Sequence, residues 1–337
     1  MKILVTGGAG FIGSHTVVEL VNAGFDPVII DDFSNSEKSV LKGLKKILKK
    51  NIKCYSKNCN DVKTLEKIFI DENIEGVIHF AAYKAVGESV QNPLKYYENN
   101  IGSTVKLLQV MNKLGVKNLV FSSSCTVYGQ PEIIPVDENT PRQPATSPYG
   151  STKAMCEDIL RDTIVSGSPL KIISLRYFNP IGAHPTAQIG ELPNGVPSNL
   201  VPYITQTAAG LRDKLTVFGS DYNTPDGTNI RDFIHVVDLA KAHVAALNLL
   251  KKQADNYYDT FNIGTGDGVS VMQLVKTFEK VNKIKLNYEI GPRRPGDTEK
   301  IYAITTKAQE IMGWKAEKTL AESLKDAWRW QKKITKK

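Results

Sequence analysis

Two hydrophobic periods alternate along the first half of the chain. Short continuous apolar runs (KILV, PVIID, IKCYS, GVIHFAA, NLVFSSS and KIISLRYFN) have the length and β-branched content of strands buried on both faces. Between them, apolar positions recur at helical spacing. FIGSHTVVELVNAG is one such helix, closed by Gly24. LKGLKKILKK is another, with Leu41, Leu44 and Leu48 turned inward and lysines outward. DVKTLEKIFIDEN has Asp61 at its N-cap position, and NNIGSTVKLLQVMNKLG and SPYGSTKAMCEDILRDTIV follow. Strands alternating with helices imply right-handed crossovers and a parallel, doubly wound α/β sheet.

After about Asn179 the texture changes. Pro, Gly and Asn crowd PIGAHPTAQIGELPNGVPSNLVP, and short strand-like segments (LTVFG, TFNIGTG, LNYEI) mix with helical ones (HVVDLAKAHVAALNLL, VSVMQLVKTFEKVN). The expected organisation is a sheet domain over 1–180 and a smaller α+β lobe over 181–337. Some strands and helices of the second part are free to return to the first. Ligands of such sheets sit beyond the carboxyl ends of the strands. The second lobe is therefore expected to close over a ligand held by the first.

Composition narrows the setting. The 337 residues are 41% hydrophobic, enough for a sizeable core. The net charge of +8 comes largely from LKGLKKILKK and the terminal WQKKITKK. Both read as solvated lysine faces, because no nucleic-acid motif accompanies them. No apolar run approaches the ~20 residues of a membrane span, and Lys2 to Val5 is too short for a leader core. The expectation is a cytoplasmic protein without membrane or nucleic-acid partners. Cys54, Cys59, Cys125 and Cys156 form no CxxC pair, and His15, His79, His184, His235 and His243 form no HExxH-type cluster, so reduced thiols and no metal are expected.

Chemistry enters with TGGAGFIG. Gly7, Gly10 and Gly13 stand between a strand and a helix, where glycines permit a tight turn, a close approach to a pyrophosphate, and close packing of the helix on the sheet. The second strand ends in Asp31-Asp32. A carboxylate there accepts from both adenosine-ribose hydroxyls and repels a 2′-phosphate, which favours NAD over NADP on a Rossmann-type sheet. A second cluster, NIGTGDG, lacks that spacing and reads as a structural turn. In SPYGSTK, Tyr149 and Lys153 share a helix face. An ammonium beside a phenol favours the phenolate, lowering a pKa that is normally ~10 and making a general base. Ser124, just past a strand, is placed to hydrogen-bond the same alcohol.

TGGAGFIG, FSSSCTVYG and SPYGSTK together resemble the extended short-chain dehydrogenase/reductases. HFAAYKAVGESVQNPLKYYENN, LRYFNPIGAHP, NLVPYI, FGSDYNTPDGTNIRDFIHVVDLA and RRPGD narrow the resemblance to the UDP-glucose 4-epimerases, nearly end to end. The resemblance implies a tightly bound NAD lying on Gly7, Gly10, Phe11, Ile12 and Gly13. Asp31, Asp32, Asn35 and Ser36 would hold the adenosine ribose region, with Asn58, at the adenine, and Cys59 in the same set. Phe80, Ala81, Ala82 and Lys84 would line the path to the nicotinamide, with Asn99 and Phe178 nearby.

The same resemblance implies a UDP-hexose substrate. Asn179, Asn199, Arg231 and Arg294 would hold the diphosphate, where guanidinium groups offer paired donors. Val217 and Phe218 would form the uracil pocket, Asp297 would take the uridine ribose, and Leu200 would sit beside Asn199. Lys84, Ser124 and Tyr149 would face the sugar. The implied reaction is a redox-neutral inversion at carbon 4, interconverting UDP-galactose and UDP-glucose through a 4-keto sugar, with Tyr149 as base, Ser124 bridging and Lys153 holding the tyrosine ionised. A homodimer through helices near Asn99 to Leu114 and Ser151 to Val165 is implied as well.

Four positions depart from the family pattern. Asn58 replaces the common Asp, Cys125 replaces Ala, and Phe233 replaces Tyr. Ile301 stands where a tyrosine excludes N-acetyl sugars and a cysteine admits them, which leaves a dual-specificity epimerase open. Two other readings are a nucleotide-sugar 4,6-dehydratase and a cofactor-sensing regulator. The first needs an Asp-Glu pair where Cys125-Thr126 stand. The second has no need of Ser124, Tyr149 and Lys153 together.

Overall fold

The computed structural model describes residues 1–294 and 297–335. Pro295 and Gly296 of RRPGD, and Lys336 and Lys337, lie outside the described residues. The apolar runs fold as strands β1 (Lys2–Thr6), β2 (Asp26–Ile30), β3 (Lys53–Tyr55), β4 (Gly76–His79), β5 (Asn118–Ser122) and β6 (Lys171–Tyr177). They alternate with helices α1 (Phe11–Asn22), α2 (Ser39–Leu48), α3 (Val62–Asp71), α4 (Val86–Gln91), α5 (Pro93–Tyr96), α6 (Gly102–Leu114) and α7 (Pro148–Val165). The second part contains β7 (Asn179–Ile181), α8 (Leu200–Ala208), β8 (Leu215–Phe218), β9 (Ile230–Arg231), β10 (Phe233–His235), α9 (Val236–Leu250) and β11 (Tyr257–Ile263). It continues through β12 (Val269–Ser270), α10 (Val271–Asn282), β13 (Tyr288–Gly291), β14 (Lys300–Ile301), α11 (Thr306–Met312) and α12 (Leu320–Thr335).

Among the described residues, seven strands form one parallel sheet in the order β11-β6-β5-β4-β1-β2-β3. Successive side chains alternate between its two faces. Ile3, Val5, Ile29, Ile78 and Val120 pack under α1 and α9 with Val17 and Leu247. Leu4, Val28, Val77, Leu119 and Phe121 pack on the other side with Leu65, Leu107 and Leu160 of α3, α6 and α7. Helices on both faces explain why these strands read as continuous apolar runs. Strand order reverses between β1 and β4, the switch point at which such sheets bind ligands.

The seventh strand comes from the second half of the chain. β11 pairs with β6 from Tyr257↔Lys171 to Ile263↔Tyr177, and α9 packs against α1. α11 packs on β11 and α9, and most of the remaining elements build a small lobe. β8 pairs with β13 and β9 lies between β12 and β14, over a core that includes Ile204, Leu274, Phe278 and Leu324.

The helix signals hold with local differences. Asp61 accepts the Thr64 N–H (3.2 Å) and Ser147 accepts the Gly150 N–H (3.2 Å), so both act as N-caps. Leu44 is fully buried on the lysine-rich helix, with Leu41 and Leu48 packed beside it. The pattern that predicts one helix from Asn99 instead begins with a π-turn over Tyr97–Ile101, preceded by α4 and α5. That wide turn carries buried Asn100. Its Oδ1 accepts the Tyr83 N–H (2.8 Å), while Nδ2 donates to the Tyr83 carbonyl (3.0 Å) and to Thr152 Oγ1 (3.1 Å). One side chain thus ties the loop after β4 to α7. Among the described residues, no helix is long and apolar enough to cross a membrane.

Candidate active site

The glycine turn follows β1 directly. Gly7 has φ +67°, and a Cβ there would lie 2.9 Å from the Ala81 nitrogen. A Cβ on Gly13 would lie 2.4 Å from the Gly7 carbonyl. These two positions exclude side chains, so the turn stays tight and α1 sits down on it. Gly10 caps α1 without any side-chain hydrogen bond, leaving the first helical N–H groups toward a cleft of about 490 Å³. Gly7, Gly10, Phe11, Ile12 and Gly13 all line that cleft. Uncapped N–H groups at the positive end of a helix suit a pyrophosphate.

Asp31 stands at the end of β2 on the same cleft. Its Oδ2 accepts from Ala9 N–H (2.9 Å), and Oδ1 accepts from Phe33 N–H (2.9 Å) and the Ser36 hydroxyl (2.9 Å). The carboxylate therefore fixes the glycine turn and keeps lone pairs for a ribose diol. Asp32, Asn35, Ser36, Asn58 and Cys59 continue the wall. Asn58 Nδ2 donates to Asp32 Oδ2 (3.1 Å), and Asn58 Oδ1 accepts the Asn60 N–H (2.7 Å). The departure at position 58 thus has a physical reason. A carboxylate there would face the carboxylate of Asp32. Burial pushes the Cys59 thiol up to about 12, so it is a neutral wall residue.

At the far end, Phe80, Ala81, Ala82, Lys84 and Asn99 meet Tyr149 and Lys153 around the cleft. The helix spacing brings Tyr149 and Lys153 into one buried space, as expected. Their ionisation differs from the expectation. Burial raises the Tyr149 phenol well above its ordinary pKa, opposed only in part by a hydrogen bond with Ser124. Lys153 Nζ donates to the Ser122 carbonyl (2.6 Å) and lies 4.9 Å from the Phe121 ring centroid. Burial lowers this lysine to about 8. Desolvation is the largest influence on both groups.

Ser124 caps the short helix Cys125–Tyr128, accepting the Thr126 N–H (3.2 Å). Phe178 is buried with Val127 and Ile301 and stands behind the cleft wall, with Cys125 packed against them. The β9–β14 ladder places Ile301 opposite Arg231. Arg231 Nη1 donates to the Ile230 carbonyl (2.8 Å), and its charge acts on Cys125 and on Asp297. No carboxylate among the described residues forms an ion pair with Arg231. Arg294, in contrast, pairs with Asp297 (2.8 Å) and lies 5.7 Å from the Phe218 ring centroid.

The lobe thus gathers Phe218, Arg231, Arg294 and Asp297, with Arg231 close enough to act on Cys125 beside Ser124. Val217 faces inward. Alternation along β8 buries its side chain in the lobe core, so only its backbone is open to a base. Asn179 is exposed on β7, and its N–H bonds the Asp232 carbonyl (2.9 Å). Asn199 caps α8 and lines the cleft, with partly buried Leu200 behind it in the lobe core. The NIGTGDG segment is a structural turn. Its Thr265 N–H (2.8 Å) and Gly266 N–H (3.1 Å) clasp the buried Asp232 carboxylate.

Three features escape sequence reasoning. Glu191 and Tyr177 line the cleft. Behind Ser124, buried Glu157 of α7 accepts from the Ser123 hydroxyl (2.6 Å) and from Arg176 Nη2 (2.7 Å) and Nε (3.0 Å). Only the four-residue step from Lys153 to Glu157 was a visible signal. The other partners are remote in sequence.

The matching family model is that of GDP-mannose 4,6 dehydratase, over residues 4–327. A UDP-glucose 4-epimerase of Pasteurella multocida (strain Pm70) is 51% identical over 336 residues, covering 100% of this chain and 99% of that one. One of Bacillus subtilis (strain 168) is 50% identical over 331 residues, covering 98% and 97%. The crystal structure of UDP-glucose 4-epimerase from Bifidobacterium longum in complex with NAD+ and UDP is 46% identical with a TM-score of 0.95, covering 99% of each chain. The dehydratase description and the epimerase names part at the residues after Ser124, where Cys125-Thr126 offer no carboxylate. End-to-end identity and a Ser124, Tyr149 and Lys153 group beside the glycine turn agree that the chain belongs to the UDP-glucose 4-epimerase family.

Proposed function

We propose that this protein interconverts UDP-galactose and UDP-glucose by inverting carbon 4 of the hexose, with a tightly held NAD. The observation that carries the reading is one continuous cleft running from the uncapped end of α1, past Asp31, to Tyr149 and Lys153 and on to Asn199. The Gly7 and Gly13 cradle and the Asp31 carboxylate fit a dinucleotide. When bound, NAD supplies a reversible hydride acceptor for carbon 4. The protein's part is proton transfer and positioning. Tyr149 takes up and returns the 4-hydroxyl proton, and Ser124 relays to it. The Lys153 charge favours the phenolate once the site gains positive charge.

The nucleotide end is built to hold and the sugar end to release. Arg231 offers a guanidinium free of carboxylate pairing among the described residues, and α8 begins without a side-chain cap, so both favour a diphosphate. A 4-keto sugar tethered through that diphosphate can then present either face to the catalytic end. All four cysteines are free, which fits a reducing cytoplasm. Exposed Val90, Leu94 and Met155 on the packed helices α4, α5 and α7 fit a homodimer face. Sedimentation of the purified protein tests it.

Incubating the protein with UDP-galactose and no added NAD, then separating products, tests the activity. UDP-glucose is the expected product. A 4-keto-6-deoxy sugar, or continued silence after NAD is added, refutes the reading. The same assay with UDP-N-acetylgalactosamine reads whether Ile301 admits N-acetyl sugars.

A further inference from the structure

Arg231 and Asp232 are chain neighbours of opposite charge, yet no ion pair joins them among the described residues. Arg231 Nη1 donates to the Ile230 carbonyl (2.8 Å), and the Asp232 carboxylate turns to other partners. Asp232 is fully buried. Its Oδ1 accepts the Thr265 N–H (2.8 Å) and the Thr265 hydroxyl (2.7 Å). Its Oδ2 accepts the Gly266 N–H (3.1 Å) and the Ala303 N–H (3.3 Å). Burial raises the Asp232 pKa, and these hydrogen bonds oppose the rise. Gly264 makes the space, since a Cβ there would overlap Oδ2.

The positions of these donors matter. β9 carries Arg231 between two strands, opposite Val269 of β12 and opposite Ile301 of β14. The turn at Thr265 and Gly266 leads into β12, and Ala303 follows β14 two residues after Ile301. β9, β12 and β14 are each two residues long, so their ladders alone offer few hydrogen bonds to keep them in register. The carboxylate beside Arg231 thus holds both strands that flank it. Resting on the epimerase reading above, in which Arg231 takes the diphosphate, we propose that Asp232 is a positioning residue that aims Arg231 by tying down the strands on either side of it. The clasp also keeps the carboxylate off the guanidinium, whose charge stays available to an anion. In Asp232→Asn, an amide accepts through one oxygen only, so either rotamer sets an NH2 group against two of the donors. The turn or the Ala303 segment then withdraws, and Arg231 loses its aim.

The test uses the full chain with its retained NAD. For Asp232→Asn, KM for UDP-galactose is expected to rise about tenfold, with kcat within about twofold of wild type, as for a loss of binding shared by ground and transition states. Calorimetric titration with UDP is expected to show the same loss of affinity, with NAD content after gel filtration unchanged. Thr265→Val removes one donor and keeps the backbone, and is expected to shift KM and UDP affinity by about threefold in the same direction. Neither quantity depends on the fraction of protein folded, so a merely structural role leaves both unmoved. In an Arg231→Met background, Asp232→Asn is expected to cost no further UDP affinity, because its effect runs through the arginine.

Unchanged KM and UDP affinity overturn the proposal, as does a fall in kcat at constant KM. Should Asp232→Asn yield no folded protein, Thr265→Val decides on the same readouts. Equal losses with and without Arg231 overturn it as well, since Asp232 would then act through other groups. A wild type that neither binds UDP nor converts UDP-galactose defeats the epimerase reading and this proposal with it. A competent wild type with unaltered variants defeats this proposal alone.

Discussion

Replacing Arg176 by Met isolates the buried support of the Ser123-Ser124 loop. Glu157 is 2% exposed and Arg176 8%. The pair exchanges three hydrogen bonds, at 2.7, 3.0 and 3.2 Å, while Arg176 Nη1 also reaches the Tyr128 hydroxyl (3.0 Å). Arg176→Met leaves Glu157 with the Ser123 hydroxyl and a more distant Arg142 at 3.8 Å. Breaking such a pair from one side costs about 3–5 kcal/mol, because a buried charge is left without compensation. For 337 residues the unfolding entropy near the midpoint is about 0.7 kcal/mol per degree, so the melting point should fall by about 4–7 °C. The assay is thermal unfolding at saturating NAD, so that cofactor occupancy does not vary between variants. Ser123 adjoins Ser124, and Glu157 lies one helical turn past Lys153, so kcat should fall as well. Arg176→Met with Glu157→Leu removes both charges and should regain part of the lost stability. A single variant within about 1 kcal/mol of wild type, or a double variant no more stable than the single, would refute the reasoning.

Tyr149→Phe should retain bound NAD and lose turnover by about 10²–10⁴-fold, as the loss of a general base does; near-wild-type rates would remove Tyr149 from that role. Asn58→Asp sets a carboxylate where an amide now donates to Asp32 at 3.1 Å. NAD retention on dialysis should weaken by up to about fivefold at low salt and recover at high salt, and equal retention at both would count against the pair. Lys153 titrates at about 8 in the fold against its usual 10.5, so between those values the unfolded chain holds more protons. Below about pH 8 the buried ammonium is a cost, and stability from this group rises with pH across the window. Lys153→Met should flatten that rise in urea unfolding of the cofactor-free protein, and an unchanged slope would contradict the shift.

What was legible in the sequence was local. The runs KILV, PVIID and NLVFSSS announce strands because both sheet faces are buried, and a continuous apolar run has few other places to go. The glycine turn is legible because a positive φ and a missing Cβ are properties of single positions. Tyr149 and Lys153 are legible because a helix turns four residues into neighbours. β11 was harder to place, since Tyr257–Ile263 resembles the short strands of the lobe and its partner, β6, lies eighty-six positions earlier in register. For Val217 a motif names the strand without saying which face is inward, and the fold turns its side chain into the lobe core.

The phenol of Tyr149 shows most clearly why the site was only partly readable. Spacing put an ammonium beside it, and from spacing alone its pKa should fall. In the fold the same helix carries both groups into the dry space between the sheet and the cleft, and desolvation raises the phenol while it lowers the lysine. Each group disfavours its own charged form. Burial lowers the lysine only to about 8, so its ammonium persists at neutral pH, with Nζ donating to the Ser122 carbonyl. Positive charge near the phenol offsets its desolvation, and Lys153 supplies it from one helical turn away. Spacing therefore names the two partners, and only the fold shows how strongly burial opposes their charges.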